Sequence, residues 1–237
     1  MDQHGGIVYQ ADDESVEITR EDMKLEIKEL RKTYGKKVVL DGISFTAKEG
    51  TCIGILGGNG CGKSTLLSIL AGIVRADSGS FTVEGGEKTA ISYVPQGTPL
   101  LEELSAKDNL MLWYDKGSLK RELESGVLKL LGVDEFLKVP VRKMSGGMKK
   151  RLSIGCAVSG APKVLLMDEP TAALDIACKD NIYTYIKDFK AKGGIVLLAT
   201  HDVHEIELCD QCYVIKDGKL MEYHYDGDVH KLAQWIK

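Results

Sequence analysis

The chain has 237 residues, of which 43% are hydrophobic and 28% charged, and its formal net charge is −4. This is the balance of a soluble globular domain, and it leaves no overall basic field to attract nucleic acid. No apolar run approaches the roughly 20 residues that a membrane-crossing helix needs.

The first stretch, MDQHGGIVYQADDESVEITRED, is acid-rich and has no apolar core. That pattern is neither a secretory signal nor a basic transit peptide. Residues 1–23 are expected to be a mobile acidic extension, with a short strand at Ile7 to Tyr9, ahead of a domain over 24–237. In MKLEIKELRKTYG, Leu25 and Ile27 alternate with polar residues, and LDGISFTAKEG alternates after it. Both read as strands of an antiparallel pair. TCIGIL (51–56) is a continuous apolar run of strand length, which suits a strand buried on both faces. A glycine-rich loop follows, and then Leu66, Leu67, Ile69, Leu70 and Ile73 recur at helical spacing.

SGSFTVEGGEKTAISYVPQ reads as strand, glycine-rich turn and strand, ending at Pro95. From about 97 to 160, EELSAKDNLMLWY, SLKRELESGVLKLLG and GGMKKRLSIGCAVSG carry helical apolar stripes and predict an inserted helical subdomain. KVLLMDEP and GGIVLLATHD predict two more buried strands. CYVIKDGKLMEYHY predicts a hairpin turning at Asp217 and Gly218, and VHKLAQWIK a short helix. Parallel core strands linked by helices, with an antiparallel β part and a helical insert, define an α/β fold.

Six cysteines, with no export signal, are most simply reduced thiols. His201, His204, Cys209 and Cys212 superficially resemble two zinc-ligand pairs. Their spacer is shorter than a zinc finger uses, and a helix is expected to fill it.

Residues 57–64 fit G-x-x-x-x-G-K-[ST], between a predicted strand and a predicted helix. Gly57, Gly58, Gly60 and Gly62 allow backbone N–H groups to converge on one point without Cβ clashes. The helix that follows aims its positive end at the same point. A polyphosphate fits such a cradle. Lys63 supplies a point charge for the β- and γ-phosphates, the Ser64 hydroxyl can ligate Mg²⁺, and Thr65 can reach the α- and β-phosphates. In KVLLMDEP a buried strand ends in Asp168 and Glu169. Asp168 suits direct or water-mediated contact with Mg²⁺, and Glu169 is placed to orient or deprotonate an attacking water.

MSGGMKKRL (144–152) lies about 80 residues after the phosphate loop and shortly before the acidic strand. With that order of motifs, residues 24–222 resemble the nucleotide-binding domain of ABC transporters, a P-loop NTPase. By that resemblance Gly57, Gly58, Asn59, Gly60, Cys61, Gly62, Lys63, Ser64 and Thr65 form Walker A, and VLLMDEP is Walker B. Ser145, Gly146, Gly147 and Met148 form the signature, and Asp175 closes the D-loop. Gln96 matches the Q-loop glutamine, His201 the switch histidine and Tyr34 the aromatic residue that stacks on adenine. Ser64, Gln96 and Asp168 would serve the metal, and Glu169 with His201 the chemistry.

The resemblance implies two domains head to tail, each ATP lying between Walker A of one copy and the signature of the other. The second copy is identical or a paralogue. Lys149, Lys150 and Arg151 add positive charge beside the signature, a feature that a solvated helix face explains equally well. Met144 and Met148 stand where Leu and Gln are commonest in the family, and Ala173 replaces a usual glycine, a change expected to be tolerated. The SGGM motif followed by basic residues, and the lack of an added C-terminal domain, resemble exporters of drugs, antibiotics and lipids. The implied permease is a separate membrane chain, with this one on the cytoplasmic face of the membrane and no nucleic acid as partner. The rival reading is a soluble ATPase of the same superfamily acting in translation or DNA repair. Such translation factors usually carry two ATPase domains, and such repair ATPases long coiled coils.

Overall fold

The computed structural model describes residues 23–85 and 91–236, without the side chain of Ile236. The expected strand at Ile7 to Tyr9 lies outside the described residues. Met23, assigned above to the extension, belongs to the folded body: it is buried, and its N–H donates to Glu49 Oε2 at 3.1 Å.

Strands β1 (Lys24–Tyr34) and β2 (Lys37–Lys48) pair antiparallel, as their alternation predicts. The apolar run gives β3 (Cys52–Leu56), every residue of which is buried, and the glycine loop leads into α1 (Lys63–Leu70). Ile73 lies beyond the end of α1 and is exposed, because the chain turns out of the helix at Gly72, with φ 73°. β4 (Ser78–Glu84) joins β1, whereas β5 (Ile91–Val94) enters a different sheet. The helical insert contains α2 (Ala106–Leu110), α3 (Lys116–Ser125), α4 (Val127–Leu130) and α5 (Gly146–Ala157). Ser105 opens α2 with a capping box to Asp108, and Asp115 caps α3, so the turns between these short helices are specified locally.

Then come β6 (Val164–Asp168), α6 (Ile176–Ala191), β7 (Ile195–Ala199), α7 (Val203–Ile206), β8 (Gln211–Lys216), β9 (Lys219–Tyr223) and α8 (Val229–Ile236). Asp217 and Gly218, at φ 51° and 78°, make the β8–β9 turn, as a hairpin turn of this sequence requires. α7 contains His204 and covers the first half of the spacer between the histidine and cysteine pairs, Glu205 and Ile206.

One sheet has the order β2-β1-β4 and is antiparallel; the other has the order β5-β6-β7-β3-β8-β9, parallel except for β9. Alternate residues of the central strands feed two cores. Cys52, Leu165, Met167, Val196 and Leu198 pack towards the helical insert and α6. Ile53, Ile55, Leu166, Ile195 and Leu197 pack towards α1 and the antiparallel sheet. That two-sided burial explains the unbroken apolar runs in β3, β6 and β7.

Candidate nucleotide site

β5, β6, β7 and β3 are spatial neighbours and run parallel, so their C-terminal ends share one edge. In open α/β sheets that edge is where ligands bind. Gln96 follows β5, Glu169 follows β6, His201 follows β7 and the glycine loop follows β3. Four segments far apart in the chain are thereby brought together. They meet in a cleft of about 570 Å³ lined by Tyr34, Lys37, Val39, Asn59, Gly60, Gly62, Lys63, Ser64, Thr65, Gln96, Glu169 and His201. Gly58 and Cys61 face an adjoining cleft of about 480 Å³ shared with Asn59 and Gly60.

The loop has the shape its glycines allow. Gly57 has φ 142°, and a Cβ there would lie 2.6 Å from Cys61 Sγ and 2.7 Å from the Ile215 carbonyl oxygen. Gly62 has φ 120°, and a Cβ would lie 2.9 Å from Val39 Cγ1. Both the conformation and the space exclude larger residues. Gly62 opens α1 without a side-chain cap, so the first-turn N–H groups have no side-chain acceptor. The buried Lys63 ammonium spans the loop, donating to the carbonyl oxygens of Gly57 at 2.8 Å and Gly58 at 3.3 Å. Lys37 Nζ donates to Gly60 O at 3.2 Å from the opposite side.

On the acidic side, Glu169 holds φ 45°, a left-handed conformation that costs a non-glycine residue energy and recurs at functional sites. Its N–H donates to Ala199 O at 2.8 Å, which ties it to the end of β7. Its Oε2 accepts from Gln96 Nε2 at 2.8 Å, and its Oε1 lies 3.2 Å from His201 Nδ1. Asp168 is buried at the end of β6, with Oδ2 accepting from Tyr93 OH at 3.3 Å. Burial, and then the Asp168 charge, push the Tyr93 phenol above its ordinary range. Ser64 and Gln96 line the cleft, whereas Asp168 is buried at the end of β6 and does not line it; each carries side-chain oxygen of the kind a hard divalent cation takes, so the residues fit Mg²⁺.

The signature segment lies outside this cleft. Ser145 is the N-cap of α5, its Oγ accepting from the Met148 N–H at 3.2 Å. The helix therefore begins at Gly146, two residues before the run MKKRL. Gly146 is open to solvent, Gly147 is buried against Cys178 Sγ, and Met148 packs at the edge of the helical core. Asp175 caps α6, accepting from the Cys178 N–H at 2.8 Å, and that bond foremost holds its carboxyl below the usual range.

The basic run after the signature is not one solvated face. Lys149 pairs with Glu102 at 3.1 Å, and Arg151 donates to Leu131 O at 2.8 Å while lying over the Phe136 ring. Lys150 is buried.

Lys37, Val39, Tyr93 and Glu205 escaped sequence reasoning as residues of or beside the site. Tyr93 reads only as a strand residue, and it reaches Asp168 because β5 pairs with β6. Glu205 is buried, its Oε1 accepting from the Thr171 N–H at 3.0 Å and the Thr171 hydroxyl at 2.5 Å. It fastens the turn after Glu169 to the helix after His201. Burial pushes its carboxyl above the ordinary range.

Comparison with known proteins agrees with this geometry. The family model described as ABC transporter matches residues 40–172. The linearmycin resistance ATP-binding protein LnrL of Bacillus subtilis is 38% identical over 83% of this chain and 68% of its own length. The Nod factor export ATP-binding protein I of Sinorhizobium fredii is 36% identical over 87% of this chain, which spans 64% of that relative's length. A dimeric ATP-binding cassette bound to ADP and Pi superposes with a TM-score of 0.75 at 26% identity, over 86% of this chain and 100% of that one. The chain belongs to the ABC transporter family, as an ATP-binding subunit that hydrolyses ATP to power transport.

Proposed function

We propose that two copies of this chain close head to tail over two ATP molecules and that the cycle drives export through a separate membrane permease. The observation that carries the proposal is Glu169 held between Gln96 and His201 at the strand edge facing the phosphate loop. A carboxylate so oriented can take a proton from a water attacking the terminal phosphate, with His201 helping to align that water. Backbone N–H groups of the loop and the Lys63 ammonium hold the phosphates, and Tyr34, half exposed at the cleft mouth, offers a ring for the base. Mg²⁺, when bound through Ser64, Asp168 and Gln96, would neutralise phosphate charge.

Ser145, Gly146 and Gly147 open a helix yet do not line their own chain's cleft. A second copy gives them a nucleotide to cap, and the dimeric cassette bound to ADP and Pi supports that arrangement. Among the described residues no helix is long and apolar enough to cross a membrane. Leu101, Met111, Leu112 and Trp113 are exposed apolar residues of the helical insert, where a permease on the cytoplasmic face of the membrane would dock. Export is favoured because the relatives are named for resistance and for export, which also counts against a role in translation or DNA repair.

Replacing Glu169 with Gln is expected to leave ATP affinity unchanged while turnover falls ~10²- to 10⁴-fold, the range for loss of a general base. Phosphate release and nucleotide titration check this; turnover at the parent rate would remove Glu169 from the mechanism.

A further inference from the structure

Lys63 and Lys150 are the lysines buried among the described residues. Lys63 is explained by the phosphate loop. Lys150, in the second turn of α5, has no such ligand, and among the described residues no carboxylate lies within ion-pair distance of it. A buried ammonium without an ion pair is costly, and an apolar residue of similar volume would fill the space at less cost. What Lys150 holds is backbone: Nζ donates to Pro95 O at 2.8 Å and to Gln96 O at 3.0 Å. Burial lowers its pKa, and the charges of Asp168, Glu205 and Glu169 oppose that shift.

The two ends of this tether have different clients. The Gln96 side chain donates to Glu169 in the chain's own cleft. Five residues before Lys150, Ser145 caps the same helix and presents the signature away from that cleft. An unbroken path therefore runs from Glu169 through Gln96 to Lys150, and along about one and a half turns of α5 to Ser145. A helix of 12 residues transmits a displacement as a rigid body.

We infer that Lys150 is a positioning residue that locks the backbone around Gln96 to α5, so that occupancy of a chain's own cleft sets the pose of the signature it offers to its partner's nucleotide. This rests on the head-to-tail dimer proposed above. It predicts that without Lys150 each chain still binds ATP but closes poorly.

The test uses the full chain carrying Glu169→Gln, in which ATP is expected to trap the dimer. Two titrations are run: binding of a fluorescent ATP analogue, and ATP-dependent dimer formation by sedimentation. Adding Lys150→Met is expected to leave binding unchanged and to raise the ATP concentration for half-maximal dimer about 10-fold, within the range of coupling between linked sites. Lys150→Arg, which keeps donors and charge, is expected to restore dimer formation. Should Lys150→Met not fold, Lys150→Gln is judged by the same criteria. Dimer formation at the parent ATP concentration, equal weakening of binding and closure, or no rescue by arginine would each overturn the role of Lys150. Failure of the Glu169→Gln chain itself to dimerise with ATP would overturn the dimer, and the inference with it.

Discussion

Ala173 occupies a left-handed conformation at φ 58° in the turn between Glu169 and the cap residue Asp175. Sequence reading expected alanine to be tolerated in this family position. The backbone shows where it costs, because the alanine Cβ crowds the carbonyl in that region. Glycine would relieve the strain, partly offset by its greater freedom in the unfolded chain. Ala173→Gly is expected to stabilise the protein by about 0.5–1 kcal/mol. A shift of the urea midpoint at constant slope measures it; a less stable variant would show that the turn does not store this strain. Glu169 shares the left-handed conformation, but its side chain is held on both oxygens, so its strain is tied to the site itself.

At the scale of elements, the site depends on how segments that follow different strands are fastened together. Glu205 in α7 accepts both hydrogen bonds of Thr171, joining the β6 and β7 exits. Lys179 and Asp202, 2.5 Å apart, join α6 to the start of α7 in parallel. Burial raises the Glu205 pKa above its reference of 4.5 in the folded state, so the folded chain binds that proton more tightly than the unfolded one. The stability Glu205 contributes is therefore full below the unfolded value and is lost as pH rises through the folded one. Glu205→Gln keeps an acceptor for Thr171 without the titration. Its melting temperature relative to the parent is expected to rise as pH increases above the unfolded reference of 4.5. A difference independent of pH would show that Glu205 does not titrate across its own folding.

At the scale of the whole molecule, the proposed permease partner is what the exposed apolar side chains of the helical insert would meet. Affinity capture from detergent-solubilised membranes of its own cells is expected to recover a polytopic membrane protein in stoichiometric amount. Ribosomal or DNA-associated proteins without a membrane partner would reverse the transport reading. Much of this molecule was legible in one dimension. The glycine loop, the acidic strand end and the hairpin at Asp217 and Gly218 are each specified by residues adjacent in sequence. Their chemistry is local: positive φ, a helix start, or a run buried on both faces. What proximity in space alone reveals is different in kind. β4 and β5 are near neighbours in sequence yet join different sheets. Tyr93 meets Asp168 only through strand pairing, and Lys150, part of a basic run, is buried because two carbonyl oxygens from a distant loop receive it. Short-range pattern records what a residue can do to its chain neighbours. Burial of charge and the pairing of distant segments depend on packing that no local pattern encodes.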